Sequence, residues 1–207
     1  MEIPPGFAEV MVVLGGLCVG SFLNVCIHRL PSRTSIVFPA SRCPACEHLL
    51  AWSDNIPVVS YLTLRGRCRY CGVPISARYP VIEAITCIVF ILHWLTFGPS
   101  LLFAVRVVFA CALIVLFAID LEHQILPNVI TLPGIVVGFA CSLIGPPGPL
   151  MSLAGIALGG GLLWGFAEAW FRLRKVEAMG FGDVKMLAMV GAFLGVKLVV
   201  LTFVLAS

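Results

Sequence analysis

Two sets of side chains in this 207-residue sequence carry chemistry. The first is four cysteines in two pairs, Cys43-Pro44-Ala45-Cys46 and Cys68-Arg69-Tyr70-Cys71, with 21 residues between the pairs. Each C-x-x-C makes a tight knuckle that offers two sulfurs to one metal, and thiolates suit a tetrahedral zinc ion. Gly72 directly after Cys71 fits a turn that needs positive φ. Arg67 and Arg69 add positive charge that favours thiolate. Four thiolates would leave no open coordination position, so Cys43, Cys46, Cys68 and Cys71 are expected to hold a structural zinc rather than a catalytic one. Four unrelated thiols, or a redox pair, are the competing readings.

The second set is a pair of carboxylates. Asp120 closes an apolar run in Ala118-Ile119-Asp120-Leu121-Glu122-His123, and Asp183 opens another in Met179-Gly180-Phe181-Gly182-Asp183-Val184-Lys185. Two carboxylates brought together in low dielectric share a proton and titrate as a pair. The ionised one can take a proton from water and the protonated one can polarise a peptide carbonyl, which is aspartic-protease chemistry. Gly180 and Gly182 let backbone approach closely beside the acid. A proton relay in a transporter would use the same residue types. No Ser–His–Asp arrangement, H-E-x-x-H or P-loop competes.

The elements that must position these groups are set by composition. The chain is 60% hydrophobic and 11% charged, with a mean hydropathy of +1.09. That excludes a water-soluble surface and implies an all-α polytopic membrane protein. The candidate spans are Phe7–Ile27, Tyr79–Thr96, Ser100–Ile119, Asn128–Ile144, Leu150–Phe171 and Val184–Gly195. A turn at Gly195-Val196-Lys197 would start a partial seventh helix at Leu198; the alternative is one long span from Val184 to Ala206. The first run lacks a basic leader and reads as a retained span. The chain stops inside an apolar run, which suggests C-terminal truncation. The expected organisation is a first transmembrane helix over 1–27, a four-cysteine zinc loop over 28–78 and a membrane core over 79–207.

Seven of the thirteen basic residues fall between Arg29 and Arg78, and Arg172, Arg174 and Lys175 follow the fifth span. Basic loops stay in the cytoplasm. This places the loops at 28–78, 120–127 and 172–183 inside, the N-terminus outside, and both aspartates at the cytoplasmic edge. Arg106 can snorkel. Cys18, Cys26, Cys87, Cys111 and Cys141 sit singly in apolar runs and read as small hydrophobes. The Gly159-Gly160-Gly161 run suggests close helix packing. The net charge of +3 gives no indication of nucleic-acid binding.

The ordered set of motifs resembles the bacterial type IV prepilin peptidases, the prepilin leader peptidase/N-methyltransferases. The matching residues are Gly20-Ser21-Phe22-Leu23-Asn24-Val25, Arg29-Leu30-Pro31, both cysteine pairs and Asp54-Asn55-Ile56-Pro57. They continue through Ser60-Tyr61-Leu62, Leu64-Arg65-Gly66, Ile75-Ser76-Ala77-Arg78-Tyr79-Pro80, Glu83 and the two aspartate motifs. Gly180-Phe181-Gly182-Asp183 matches the G-x-G-D signature of intramembrane aspartyl proteases. Ser53 departs from the aromatic residue usual there, and the Pro-Phe-Gly-Pro-type segment common near the family's C-terminus is absent.

The resemblance implies a protein of the bacterial inner membrane with Asp120 and Asp183 as its catalytic pair. The substrate would be a prepilin or pseudopilin of a type IV pilus or type II secretion system. Its basic leader would be cleaved after a glycine, and the new N-terminal residue, usually Phe, methylated from S-adenosylmethionine. No G-x-G-x-x-G fingerprint marks a site for that donor. Glu47, Asp54 and Asn55 in the cysteine loop are the polar candidates. A zinc-ribbon membrane adaptor without catalysis is the alternative; it leaves Gly180–Asp183 without a role.

Overall fold

The computed structural model describes residues 6–175 and 180–206. Seven α-helices carry the fold: α1 (Phe7–Arg29), α2 (Val59–Thr63), α3 (Arg78–Phe97), α4 (Leu101–His123), α5 (Asn128–Ser142), α6 (Pro149–Arg174) and α7 (Phe181–Ala206). A short 3₁₀ turn covers Trp52–Asn55. No strand occurs among the described residues. Five helices, α1, α3, α4, α6 and α7, are long and apolar enough to cross a membrane. Their outward faces are apolar: Leu95, Leu150 and Leu173 are each at least 74% exposed. Such surfaces are stable against lipid, not water.

The chain divides into two compact units, residues 1–119 and 120–207. In the first, α1 and α3 lie antiparallel along a close seam. A Cβ at Gly16 would stand 2.8 Å from Cys87 Cα, and one at Gly20 would stand 2.7 Å from Glu83 Cα. One turn further, Asn24 Nδ2 donates to the Tyr79 carbonyl at 3.0 Å. Small residues at such a seam let backbones approach where lipid gives no hydrophobic drive. α3 ends at Gly98, whose φ of 57° turns the chain. Ser100 Oγ then accepts the Phe103 N–H at 3.2 Å and caps α4. Phe103 packs edge-on against Phe90 and Trp94, joining the start of α4 to the end of α3.

In the second unit α7 is the central element, and every residue from Leu187 to Phe193 is buried. α6 crosses it antiparallel: Gly155 meets Gly191 backbone to backbone, and Gly159 faces the Leu187 carbonyl. Ser152 Oγ donates to the Ala192 carbonyl at 2.8 Å. α5 packs on the same helix through Gly134 against Met189 and Gly138 against Ala192 and Phe193.

Element bounds differ from the sequence reading at three places. α4 runs to His123, so Asp120 lies within its last turn rather than beyond its end. α5 stops at Ser142 and has only 15 residues, a rise of about 22 Å. Pro133 within it removes one backbone bond. The last apolar segment starts at Phe181 rather than Val184 and runs to Ala206, with the break at Gly195 (φ 74°, ψ −179°) where the sequence reading set a turn. That backbone region is essentially restricted to glycine. Of the lone cysteines, Cys26, Cys87 and Cys111 are buried, Cys141 is half-buried and Cys18 is exposed, and all are free thiols. Residues Val176, Glu177, Ala178 and Met179, part of the segment read as a cytoplasmic loop, lie outside the described residues.

Candidate functional site

Asp120 and Asp183 come together within the second unit. α4 ends in a tight turn in which the Gln124 N–H bonds the Asp120 carbonyl at 2.9 Å and Gln124 takes φ 53°. That turn carries the chain to α5 and holds Leu126 against α7: a Cβ at Gly182 would stand 3.0 Å from Leu126 Cβ. A side chain at Gly182 would press on Leu126. At Gly180, Asp183 Oδ2 lies 4.0 Å from where a Cβ would stand, and the Asp183 N–H bonds the Gly180 carbonyl at 3.2 Å. The acid thus sits in the first turn of α7, close to the bare backbone of Gly180.

Both carboxylates line one cavity of about 340 Å³. They are close enough for the charge of Asp120 to bear on Asp183. Asp120 is exposed and Asp183 half-buried. Gln124, Asn128 and Lys185 complete the polar wall, and Lys185 Nζ donates to Asn128 Oδ1 at 2.9 Å. The sequence reading gave neither Asn128 nor Lys185 a role in the site. Lys185 stands two residues after Asp183, on a helix with only one other lysine, and that was the available signal.

The four cysteine sulfurs of the first unit lie within 4.8 Å of one another. The two knuckles are built alike. Cys43 N–H bonds the His48 carbonyl at 3.0 Å, and Cys68 N–H bonds the Val73 carbonyl at 2.9 Å. Isolated bridges pair Arg42 with Leu49 and Arg67 with Pro74. Gly72 takes φ 71°, as its position after the second pair requires; Glu47 takes φ 57° at the matching place without being glycine. The His48 and Tyr70 rings, 3.6 Å between centroids, join the two knuckles. A tetrahedral ion with metal–sulfur bonds of about 2.3 Å needs sulfurs about 3.8 Å apart. Cys43 Sγ and Cys71 Sγ are 3.8 Å apart, so the donor set fits one such ion.

The Cys43 thiol is lowered to about 7, first by the backbone N–H of Cys46 and then by that of Ala45. For Cys71 the Val73 N–H lowers the value, but partial loss of water and the sulfurs of Cys68, Cys46 and Cys43 outweigh it and push the thiol up to about 11.

Asp54 ties the 3₁₀ turn to the second knuckle. Its Oδ1 accepts from Arg69 Nε at 2.9 Å and from a terminal guanidinium nitrogen at 2.6 Å. The Asp54 side chain is 2% exposed, and its Oδ2 is buried without a partner.

Residues 14–97 match the bacterial peptidase A24 N-terminal domain, and residues 107–207 match the type IV leader peptidase family. A prepilin leader peptidase/N-methyltransferase of Klebsiella pneumoniae is 40% identical over 94% of this chain and 88% of its own length. The chain belongs to the type IV leader peptidase family. Another relative, the prepilin leader peptidase/N-methyltransferase of Myxococcus xanthus, is 45% identical over 92% of this chain. The chain spans a little over half, 57%, of that protein's length. A third, from Burkholderia pseudomallei, carries the same name at 36% identity over 93% of this chain and 71% of its own. No solved structure matches the chain. The four thiols fall within the first of these matches and both aspartates within the second.

Proposed function

We infer that the protein removes the leader of a prepilin or pseudopilin through Asp120 and Asp183 acting as a pair, and then methylates the N-terminal residue so exposed. The observation that carries the first half is that both carboxylates line a single cavity at the end of α4 and the start of α7. A polar leader followed by an apolar helix would present its junction at that depth. The ionised aspartate takes a proton from water, and the hydroxide adds to the scissile carbonyl. The protonated aspartate gives its proton to the carbonyl oxygen. Collapse of the tetrahedral species expels the amine, which recovers a proton from the acid formed in the first step. Gln124, Asn128 and Lys185 are the groups available to hold the peptide backbone across the cavity.

We assign zinc to the four thiolates, as a structural ion that closes the loop of residues 28–78 between a first membrane helix and a membrane core over 79–207. The basic residues of that loop and of Arg172, Arg174 and Lys175 support a cytoplasmic position for it and for both aspartates, in the inner membrane, with the N-terminus outside. The methyl donor is S-adenosylmethionine, which supplies an electrophilic methyl group when bound. The buried, unpartnered Oδ2 of Asp54 fits a hydroxyl or ammonium of that donor. Of the three loop residues singled out from sequence, Asp54 alone has such an atom among the described side chains.

The test is a membrane assay with a prepilin and S-adenosylmethionine, read by mass spectrometry of the product N-terminus. The expected product has lost its leader and gained one methyl group. An intact prepilin rejects the peptidase, and a processed, unmethylated product rejects the second activity.

A further inference from the structure

The first unit contains a buried polar seam that leader cleavage does not use. Glu83 is the one acidic residue of α3, and it is 7% exposed. An ionisable side chain inside an apolar span is costly, so what holds it is informative. Its Oε2 accepts the Val58 backbone N–H at 2.7 Å, and the Ser21 side chain lies near the carboxyl. Val58 is β-branched yet takes φ 60°, a conformation that persists only where its surroundings enforce it. On α1, Gly20 brings the backbone against Glu83 Cα. Asn24, one turn on, is 3% exposed. Both bonds of its side chain run through Nδ2, to the Gly20 and Tyr79 carbonyls, and its Oδ1 is buried without a partner.

The charged groups on the packed elements are engaged elsewhere. Arg29 holds the Ser35 and Pro39 carbonyls, Arg69 holds Asp54, and Arg78 lies over the Tyr79 ring. The seam therefore offers a carboxylate and a bare amide oxygen, four residues along the chain from the bare Oδ2 of Asp54 at its Val58 contact. Asn24 Oδ1 and Asp54 Oδ2 are acceptors without donors, and the Glu83 carboxyl has lone pairs to spare beyond the Val58 N–H, so these groups fit a ligand that brings N–H groups and positive charge.

Resting on the methyl-transfer reading, we propose that Glu83 and Asn24 receive the α-ammonium of the processed substrate and that Glu83 takes its proton. The ammonium gives one proton to the Glu83 carboxylate. The nitrogen lone pair then bonds the methyl carbon of the sulfonium donor as the carbon–sulfur bond breaks, and that electron pair leaves on a neutral thioether. The methylated ammonium keeps one positive charge, and Glu83 returns its proton to water.

The test uses the full chain in lipid nanodiscs, a processed substrate peptide with a free N-terminus, and S-adenosylmethionine. Glu83→Gln keeps an acceptor for the Val58 N–H and removes the charge. Methylation is expected to fall about 10²-fold at pH 7. Most of the loss returns at about pH 9.5, above the α-amino pKa of about 7.7–8.0, where the amine is free without a base. Leader cleavage and binding of S-adenosylhomocysteine stay within about twofold of the unsubstituted protein. Glu83→Asp, which keeps the carboxylate, regains part of the rate at pH 7, and Asn24→Ala raises the peptide KM more than it lowers kcat.

Wild-type methylation by Glu83→Gln at pH 7 overturns the assignment, as does a loss that high pH and Glu83→Asp both fail to relieve. Loss of S-adenosylhomocysteine binding overturns it as well, by moving Glu83 to the donor. An unsubstituted protein that cleaves but never methylates overturns the methyl-transfer reading itself.

Discussion

Gly159 and Gly161 stand two residues apart on α6 and meet different surroundings. A Cβ at Gly159 would lie 2.6 Å from the Leu187 carbonyl oxygen and 3.0 Å from its carbonyl carbon, whereas one at Gly161 would meet nothing within 4 Å. Ordinary contact begins near 3.4 Å, so Gly159→Ala must part α6 and α7 by about 0.8 Å at Leu187. The obstacle is backbone, and no rotamer change relieves it. Overpacking of this kind costs about 1–3 kcal/mol. At about 2–4 °C per kcal/mol for a chain of this size, the midpoint should fall by about 2–12 °C. Asp183 lies four residues before Leu187 on the same helix, about 6 Å along the axis. A displacement approaching 1 Å at a reacting group can cost about 10²-fold in rate. Gly159→Ala should therefore lower leader cleavage about 10- to 100-fold, while Gly161→Ala leaves cleavage and midpoint unchanged or slightly raised. Thermal unfolding in detergent, followed by size-exclusion chromatography, and cleavage in membranes read the two effects. Equal behaviour of the two variants would refute the packing reasoning.

Other expectations follow from the cysteine loop and the cavity wall. The intact protein should carry one zinc, and a Cys43→Ser/Cys68→Ser variant none, by elemental analysis; an intact protein without metal removes that claim. In metal-free protein, Cys43 should be alkylated with a midpoint near pH 7 and Cys71 only near pH 11, by mass spectrometry of labelled peptides. Because the folded-state value of Cys43 is depressed, its thiolate stabilises the empty loop above the ordinary thiol pKa, and that contribution is lost as pH falls through about 7. A loop equally protease-resistant at pH 6 and pH 9 would contradict this. Lys185→Met should lower cleavage without altering zinc content, since Lys185 lines the aspartate cavity and not the thiol cluster; a variant with full cleavage would remove Lys185 from the site.

The parts legible in the sequence were those with rare residues at diagnostic positions. Three aspartates in an apolar chain made Asp120 and Asp183 stand out, and C-x-x-C spacing made the thiol cluster recognisable before any geometry. The apolar runs fixed the helices to within a few residues, because lipid demands length and hydropathy and little else. What stayed hidden depended on which faces meet. The Gly159-Gly160-Gly161 run was read as a packing site, yet Gly161 faces open space and the tightest contact joins Gly155 to Gly191. The positive φ of Glu47 could not be read from its side chain; the symmetry with Gly72 reveals it. The shortness of α5 was masked by apolar residues that continue past Ser142. Asn24 and Glu83 appeared only as matches in a family pattern. Their shared burial depends on the α1–α3 register, which composition does not give.

The most direct test of the two-carboxylate mechanism is leader cleavage by Asp120→Asn and Asp183→Asn beside the unsubstituted protein, in membranes carrying a prepilin. Each substitution removes one carboxyl of the proton-sharing pair and keeps the shape of the cavity wall, so each alone should reduce cleavage by about 10²-fold or more while zinc content stays at one per chain. Cleavage at the unsubstituted rate by either variant would contradict the account.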